Sequence, residues 1–152
     1  MSITIYVDAD ACPVKQEIYR VALRHKLPVK VVSNMSIHVP PDTGAELVVV
    51  NDHFDAADNW IVEQVQRDDI VVTADIPLAA RCVKVGAAAI GPKGRVFTEE
   101  SMGDVLAVRD FMASLREHGQ QTGGPAPFGP KDRSRFLDQL ETLVRSCVRG
   151  RL

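Results

Sequence analysis

The chain has 152 residues, 45% hydrophobic and 25% charged, with a net charge of −2. That is the profile of one ordinary globular domain with a full core, and it makes no global electrostatic case for nucleic acid or membrane. No apolar stretch approaches the roughly 20 residues that span a bilayer. The three cysteines, Cys12, Cys82 and Cys147, are scattered without a CxxC pair, so neither a zinc knuckle nor a disulfide framework is expected.

The chain opens directly into a β-branched run, "ITIYV", apolar on both faces as in a strand buried in a parallel sheet. Pro13 suits the first turn of a helix, carried on by Val14, Ile18, Val21, Ala22 and Leu23. "VKVVS" (29–33) and "ELVVV" (46–50) are predicted strands, separated by a loop broken at Pro40, Pro41 and Gly44. "DAADNWIVEQVQ" is predicted helical, with Asp55 placed to cap it and Trp60 on its core face. "DIVVTAD" is the fourth strand, "IPLAARCVKVG" a short helix, and "AAAI" the fifth strand. "GPKGRVF" is a glycine-rich turn leading into a short extended piece. An amphipathic helix is expected from Thr98, beside Glu100, to Gly119, followed by a linker. The final helix places Phe136, Leu137, Leu140, Leu143, Val144 and Val148 on one face, which should pack back onto the domain.

The whole is expected to be an α/β domain: an open, mostly parallel sheet of about five strands flanked by helices. The expected organisation is one domain over 1–152, with an α/β core at 1–118, a linker at 119–130 and a C-terminal helix at 131–150. With no basic leader or cleavage site at its start, the chain is expected to be cytoplasmic and reduced, with no membrane partner. Charge is uneven: residues 1–118 hold 12 basic and 17 acidic side chains, residues 119–152 hold 6 and 3. The basic tail either helps hold a phosphate chain or is a solvated helix face.

Ligands of open α/β sheets bind beyond the carboxyl ends of the strands. Asp8 and Asp10 follow strand one, Asp52, Asp55 and Asp58 follow strand three, and Asp75 follows strand four. Carboxylates crowded there repel unless a cation or shared proton compensates, and hard oxygen donors suit Mg²⁺ or Mn²⁺. Asp10 has a second reading as a cap for the helix at Pro13, and Asp55 and Asp58 as a cap and a first-turn residue. Cys12 lacks the tight phosphate loop and nearby arginine of a cysteine phosphatase, and is read as a small buried residue. The histidines, at 25, 38, 53 and 118, show no ligand spacing and are read as surface or loop residues. Lys15, Asn34, Arg81, Lys93, Lys131 and Arg133 are candidate substrate contacts at phosphate.

"VDADACPVK", "FDAADNWIV", "VVTADIPLAARCVKVGA" and "GPAPFGPKDRSRF" occur in this order along nearly the whole chain. By these motifs it resembles the YaiI/YqxD family of small bacterial proteins, which is placed near the PIN-like and NYN nuclease folds. The resemblance implies a metal-dependent nuclease, acting on RNA more than DNA, with Asp8, Asp10, Asp58 and Asp75 at the acidic positions and Mg²⁺ or Mn²⁺ as cofactor. PIN nucleases often add a glutamate on an early helix; Glu17 lies there, where facing solvent is its plain reading. Two other readings stay open. A haloacid-dehalogenase-type phosphohydrolase would use Asp8 as nucleophile and Asp10 as acid/base, although no lysine motif precedes a final acidic pair. A non-catalytic metal- or RNA-binding module would use the same acidic edge without cleavage.

Overall fold

The computed structural model describes residues 3–10, 12–53, 55–97 and 128–150. The helix expected over 98–119, His118 and most of the expected linker lie outside the described residues.

Six strands form one sheet: β1 (Ile5–Asp8), β2 (Val29–Ser33), β3 (Ala45–Val49), β4 (Ile70–Val72), β5 (Ala88–Ile90) and β6 (Val96–Phe97). Four α-helices accompany them among the described residues: α1 (Lys15–His25), α2 (Ala56–Gln64), α3 (Ile76–Lys84) and α4 (Pro130–Gly150). The spatial order is β3-β2-β1-β4-β5-β6, parallel except for the antiparallel β5–β6 pair. The fold is therefore α/β as expected, with one strand more. The extended piece after the glycine-rich turn closes a hairpin on β5, held by Gly91 N–H to Arg95 O at 2.8 Å. Gly94 is required in that turn: its φ is +94°, and a Cβ there would meet the Arg135 side chain of α4 at 2.8 Å.

Side-chain parity along the strands divides the core into two faces. Ile5, Val7, Val29, Val31, Ile70 and Val72 face α1 and α4, packing on Ile18, Val21, Phe136, Leu140 and Val144. Tyr6, Val32 and Val71 face the other way, packing on Ile61 of α2 and on Leu78 and Cys82 of α3. Trp60 lies partly buried on this side, edge-on to Tyr6 with ring centroids 6.1 Å apart. Phe136, Leu140 and Val144 are fully buried, each contributing about 1.5–3 kcal/mol of apolar burial, so the last helix does pack back on the domain.

Local details depart from expectation. α1 begins at Lys15 behind Val14, so Pro13 precedes the helix, no side chain caps it, and Asp10 is not its cap. Leu23 is exposed, because the buried stripe of α1 runs through Ile18, Tyr19, Val21 and Ala22. On α4 the final turn buries Cys147 and leaves Val148 exposed; the face continues from Val144 at a three-residue step. Asp55 stands at the N-cap of α2 but adopts a left-handed φ of 67° and makes no cap hydrogen bond. Asp75 caps instead, accepting the Leu78 N–H at the start of α3, 3.1 Å away. Among the described residues no helix is long and apolar enough to cross a membrane.

Candidate functional site

The chain leaves β1 through α1 toward β2, and leaves β4 through α3 toward β5 on the opposite side. The carboxyl ends of β1 and β4 are therefore a topological switch point, where open α/β sheets bind ligands. Parity decides which side chains reach it. Asp8 follows Val7 and Thr73 follows Val72, so both turn to the face that carries α2 and α3. Asp58 in the first turn of α2 and Asp75 at the cap of α3 belong to the same face.

Thr73 connects them. It is buried, its Oγ1 donates to Asp8 Oδ2 at 2.8 Å, and the same oxygen accepts the Asp75 N–H at 3.0 Å. One hydroxyl thus fixes Asp8 and the backbone entering α3. Threonine within a strand is ordinary, and sequence reasoning passed over it; its place two residues before Asp75 at the carboxyl end was the available signal.

The carboxylates act on one another. Burial raises the Asp8 pKa, the Thr73 hydroxyl and the Asp10 backbone N–H work against that, and the charges of Asp10 and Asp75 add to it. Asp58 is pushed up to about 6, first by burial and then by the charges of Asp75, Asp8 and Asp55, with Arg81 opposing. Asp8, Asp10, Asp58 and Asp75 thus share one electrostatic field, joined by Asp55 and by Arg81. Asp10 is exposed in the loop beyond β1, and Asp52 is exposed beyond β3.

The cationic and polar candidates lie in several places. Lys15 donates its Nζ to the Cys12 carbonyl at 3.0 Å. Arg81 is exposed on α3, Asn34 is exposed past β2, Lys93 is half-buried in the β5–β6 turn and Lys131 is exposed at the start of α4. Arg133 is engaged within the fold: its Nη1 donates to both oxygens of Glu17, at 2.7 and 3.0 Å, and to the Pro13 carbonyl at 3.0 Å. Glu17 does not face solvent. It is 6% exposed and turned toward α4, away from the α2 and α3 face. His25, read as a surface or loop histidine, sits in the last turn of α1 and pairs with Glu141. Cys12 is buried, which pushes its thiol up and disfavours a thiolate nucleophile.

Among the described residues, no three acidic, imidazole or thiolate groups lie close enough to form a ready metal shell. In chemistry the donor set fits a hard divalent cation, being all carboxylate oxygen with little opposing charge. In spacing it is an open edge. Cavities of about 390 and 450 Å³ lie at the opposite, amino ends of the strands, the first beside Arg67, Gly86 and Phe97, the second beside Leu23, Leu27 and Gly44. Volume and chemistry thus point to opposite ends of the sheet. The carboxyl edge is preferred, because it holds the convergent ionisable groups with perturbed protonation.

Comparison with known proteins agrees with the motifs. The family described as "Uncharacterized BCR, YaiI/YqxD family" matches over residues 6–146. A UPF0178 protein of Bradyrhizobium sp. (strain ORS 278) is 58% identical over 149 residues, covering 98% of this chain and 91% of the relative. A UPF0178 protein of Rhodopseudomonas palustris (strain HaA2) is 57% identical, covering 97% and 90%. One of Azorhizobium caulinodans is 58% identical, covering 93% and 89%. No solved structure matches the chain. With its motifs in order and its length matched almost end to end, the chain belongs to the YaiI/YqxD family.

Proposed function

We propose that the protein is a divalent-metal-dependent phosphodiesterase acting on RNA in preference to DNA. The observation that supports this best is the placement of Asp8, Asp58 and Asp75 on one side of the β1–β4 switch point, where burial first, and then the charges of the neighbouring acids, raise the proton affinity of Asp8 and Asp58. A stable protein has no structural need for such a group of uncompensated acids, and a bound cation relieves it. The sheet order is compatible with a PIN-like fold, and the preference for RNA rests on the family resemblance.

Asp8, Asp10, Asp58 and Asp75 would hold one or two Mg²⁺ or Mn²⁺ ions. When bound, the metal supplies Lewis-acid activation of a water and charge stabilisation for the departing oxygen. The chain's own residues do the positioning. Thr73 orients Asp8 by its hydroxyl. Asp75 spends Oδ1 on the cap of α3, which fixes the carboxylate where its other oxygen can serve the site. Asp58, pushed up to about 6 without a cation, would give up its proton when one binds, so binding there should weaken below that pH. Arg81 is the candidate phosphate contact whose charge already reaches Asp58, and Lys15, Asn34, Lys93 and Lys131 are further candidates.

The test pairs Mn²⁺ titration by calorimetry with degradation of mixed single-stranded RNA, for the native protein and Asp8→Asn. Expected are measurable Mn²⁺ binding, EDTA-sensitive cleavage, and a loss of at least about 100-fold in the variant, in line with removal of an essential metal ligand or orienting group. Equal cleavage by the variant removes the proposal. Metal binding without cleavage supports the non-catalytic module instead.

A further inference from the structure

We infer that Arg133, on the C-terminal helix, is a positioning residue that holds the Asp10 loop in place for the acidic edge. The inference rests on the proposed role of Asp8 and Asp10. It concerns how the chain builds that site from the far side of the sheet.

The loop joining β1 to α1 is bounded by two backbone bonds. The last sheet bond of β1 is Ala9 N–H to Val32 O at 3.0 Å, and the first helical bond of α1 is Ile18 N–H to Val14 O at 3.1 Å. Between them lies the stretch 10–13, which carries Asp10 and borders Asp8. Two of its carbonyls are held by cations. Lys15, the first residue of α1, takes the Cys12 carbonyl. Arg133 takes the Pro13 carbonyl, and it comes from a residue 120 positions away in the chain.

Arg133 is itself set rigidly. Glu17 receives Nη1 through both oxygens, and the guanidinium lies over the Phe128 ring at 5.1 Å. The first turn of α4 is anchored too, by Gly129 N–H donating to Asp132 Oδ2 at 3.0 Å and by Arg133 N–H donating to Gly129 O at 3.2 Å. All three acceptors are served from one nitrogen, Nη1, at the tip of a planar group laid over Phe128; a lysine ammonium ends one bond shorter and has no plane to lay on the ring. Arg133 therefore ties together three pieces: the first turn of α1, the loop leading into it, and the start of α4. The Asp10 backbone N–H donates to the Asp8 carboxylate, so displacement of the loop reaches the carboxylate at the centre of the site.

Arg133→Lys separates positioning from folding, since lysine keeps a positive charge beside Glu17 but ends one bond short of the Nη1 position that also reaches the Pro13 carbonyl. The control is Glu141→Gln, which weakens the same α1–α4 seam far from the loop. Backbone NMR on the metal-free protein reads the Asp10, Cys12 and Val14 amides and the Thr73 methyl. Expected in Arg133→Lys are displaced resonances for these groups and exchange at the Asp10, Cys12 and Val14 amides at least about fivefold faster, with Val31 and Val71 amides unchanged. In Glu141→Gln the loop signals stay in place. Native loop signals in Arg133→Lys overturn the inference, as do changes that spread equally to the strands or appear equally in the control. A Mn²⁺ titration of both variants adds a readout that lost stability alone does not move: weaker binding in Arg133→Lys only. Absence of Mn²⁺ binding in the native protein counts against the proposed function and leaves the loop result standing.

Discussion

Carboxylates meet two different fates in this molecule. Along the seam between α1 and α4 every described acid that is drawn inward is matched. Glu17 pairs with Arg133, and Glu141 pairs with Arg24, His25 and, at 3.4 Å, Arg145. Burial acts to raise the Glu141 pKa, but the bonds from His25 and Arg24 outweigh it and hold the carboxyl below its usual range. At the β1–β4 edge burial is not outweighed in this way, the neighbouring acids add to it, and Asp8 and Asp58 move upward. The first arrangement stabilises the fold whenever the carboxylates are ionised. The second costs stability under the same conditions, and the proposed metal site rests on that imbalance.

The largest break in this contrast comes from the seam. Arg133→Ala leaves Glu17 buried and unpaired; full burial of both partners would make that roughly 3–5 kcal/mol. Because the Arg133 side chain is 44% exposed, a loss of about 2–3 kcal/mol is expected, read as a lower urea midpoint with unchanged slope. A change within 0.5 kcal/mol, on the order of an ordinary surface substitution, would show that the pair is dispensable.

Asp58→Asn should do the reverse and stabilise. The folded state holds the Asp58 proton up to about pH 6, against 3.8 for an ordinary aspartate. Between those values the folded state binds more protons than the unfolded state, so native stability falls as pH rises through the window. The asparagine variant avoids that fall. Its Tm should exceed the native value above pH 6 by roughly 2–4 °C, about 1 kcal/mol after allowing for solvent screening. The advantage should fade as pH drops toward 4. A gain independent of pH would mean that the charge at Asp58 is not its cause.

Glu141→Gln should show the opposite pH sign and a smaller effect. A lowered carboxyl pKa contributes stability that is complete above about 4.5 and lost as pH falls through the folded value. A loss of about 1 kcal/mol or less is expected at neutral pH, closing in acid, by thermal melts at several pH values. Smallest of all, Val148→Ser should leave stability within about 0.5 kcal/mol, since the side chain is exposed at the end of α4.

Much of this architecture could be read from residue patterns. β-Branched runs such as "VKVVS" marked buried parallel strands to within a residue, because strands covered on both faces need apolar residues at every position. Aspartates at the ends of those runs marked the acidic edge, since the carboxyl ends of parallel strands all deliver their loops to one side. The assignment of caps failed for a local reason. Asp55 and Asp75 both precede helices, but only Asp75 has the extended backbone from which a side chain can accept a first-turn N–H.

By itself, then, the sequence determined most of the described elements, their α/β class, the family and the edge on which Asp8, Asp58 and Asp75 would stand. These follow from periodicity and from chain direction, which are local properties. The tertiary structure alone decided which acids would be neutralised. Glu17 and Asp8 are both inward-drawn carboxylates near the start of the chain, and nothing in the local sequence says which of them will meet a cation. Glu17 meets Arg133 because α4 packs across α1, whereas Asp8 meets Thr73 and the other acids because β4 lies beside β1. The charge state of a buried group is set by what long-range packing places a few ångströms away, and neighbours in the chain carry little of that information.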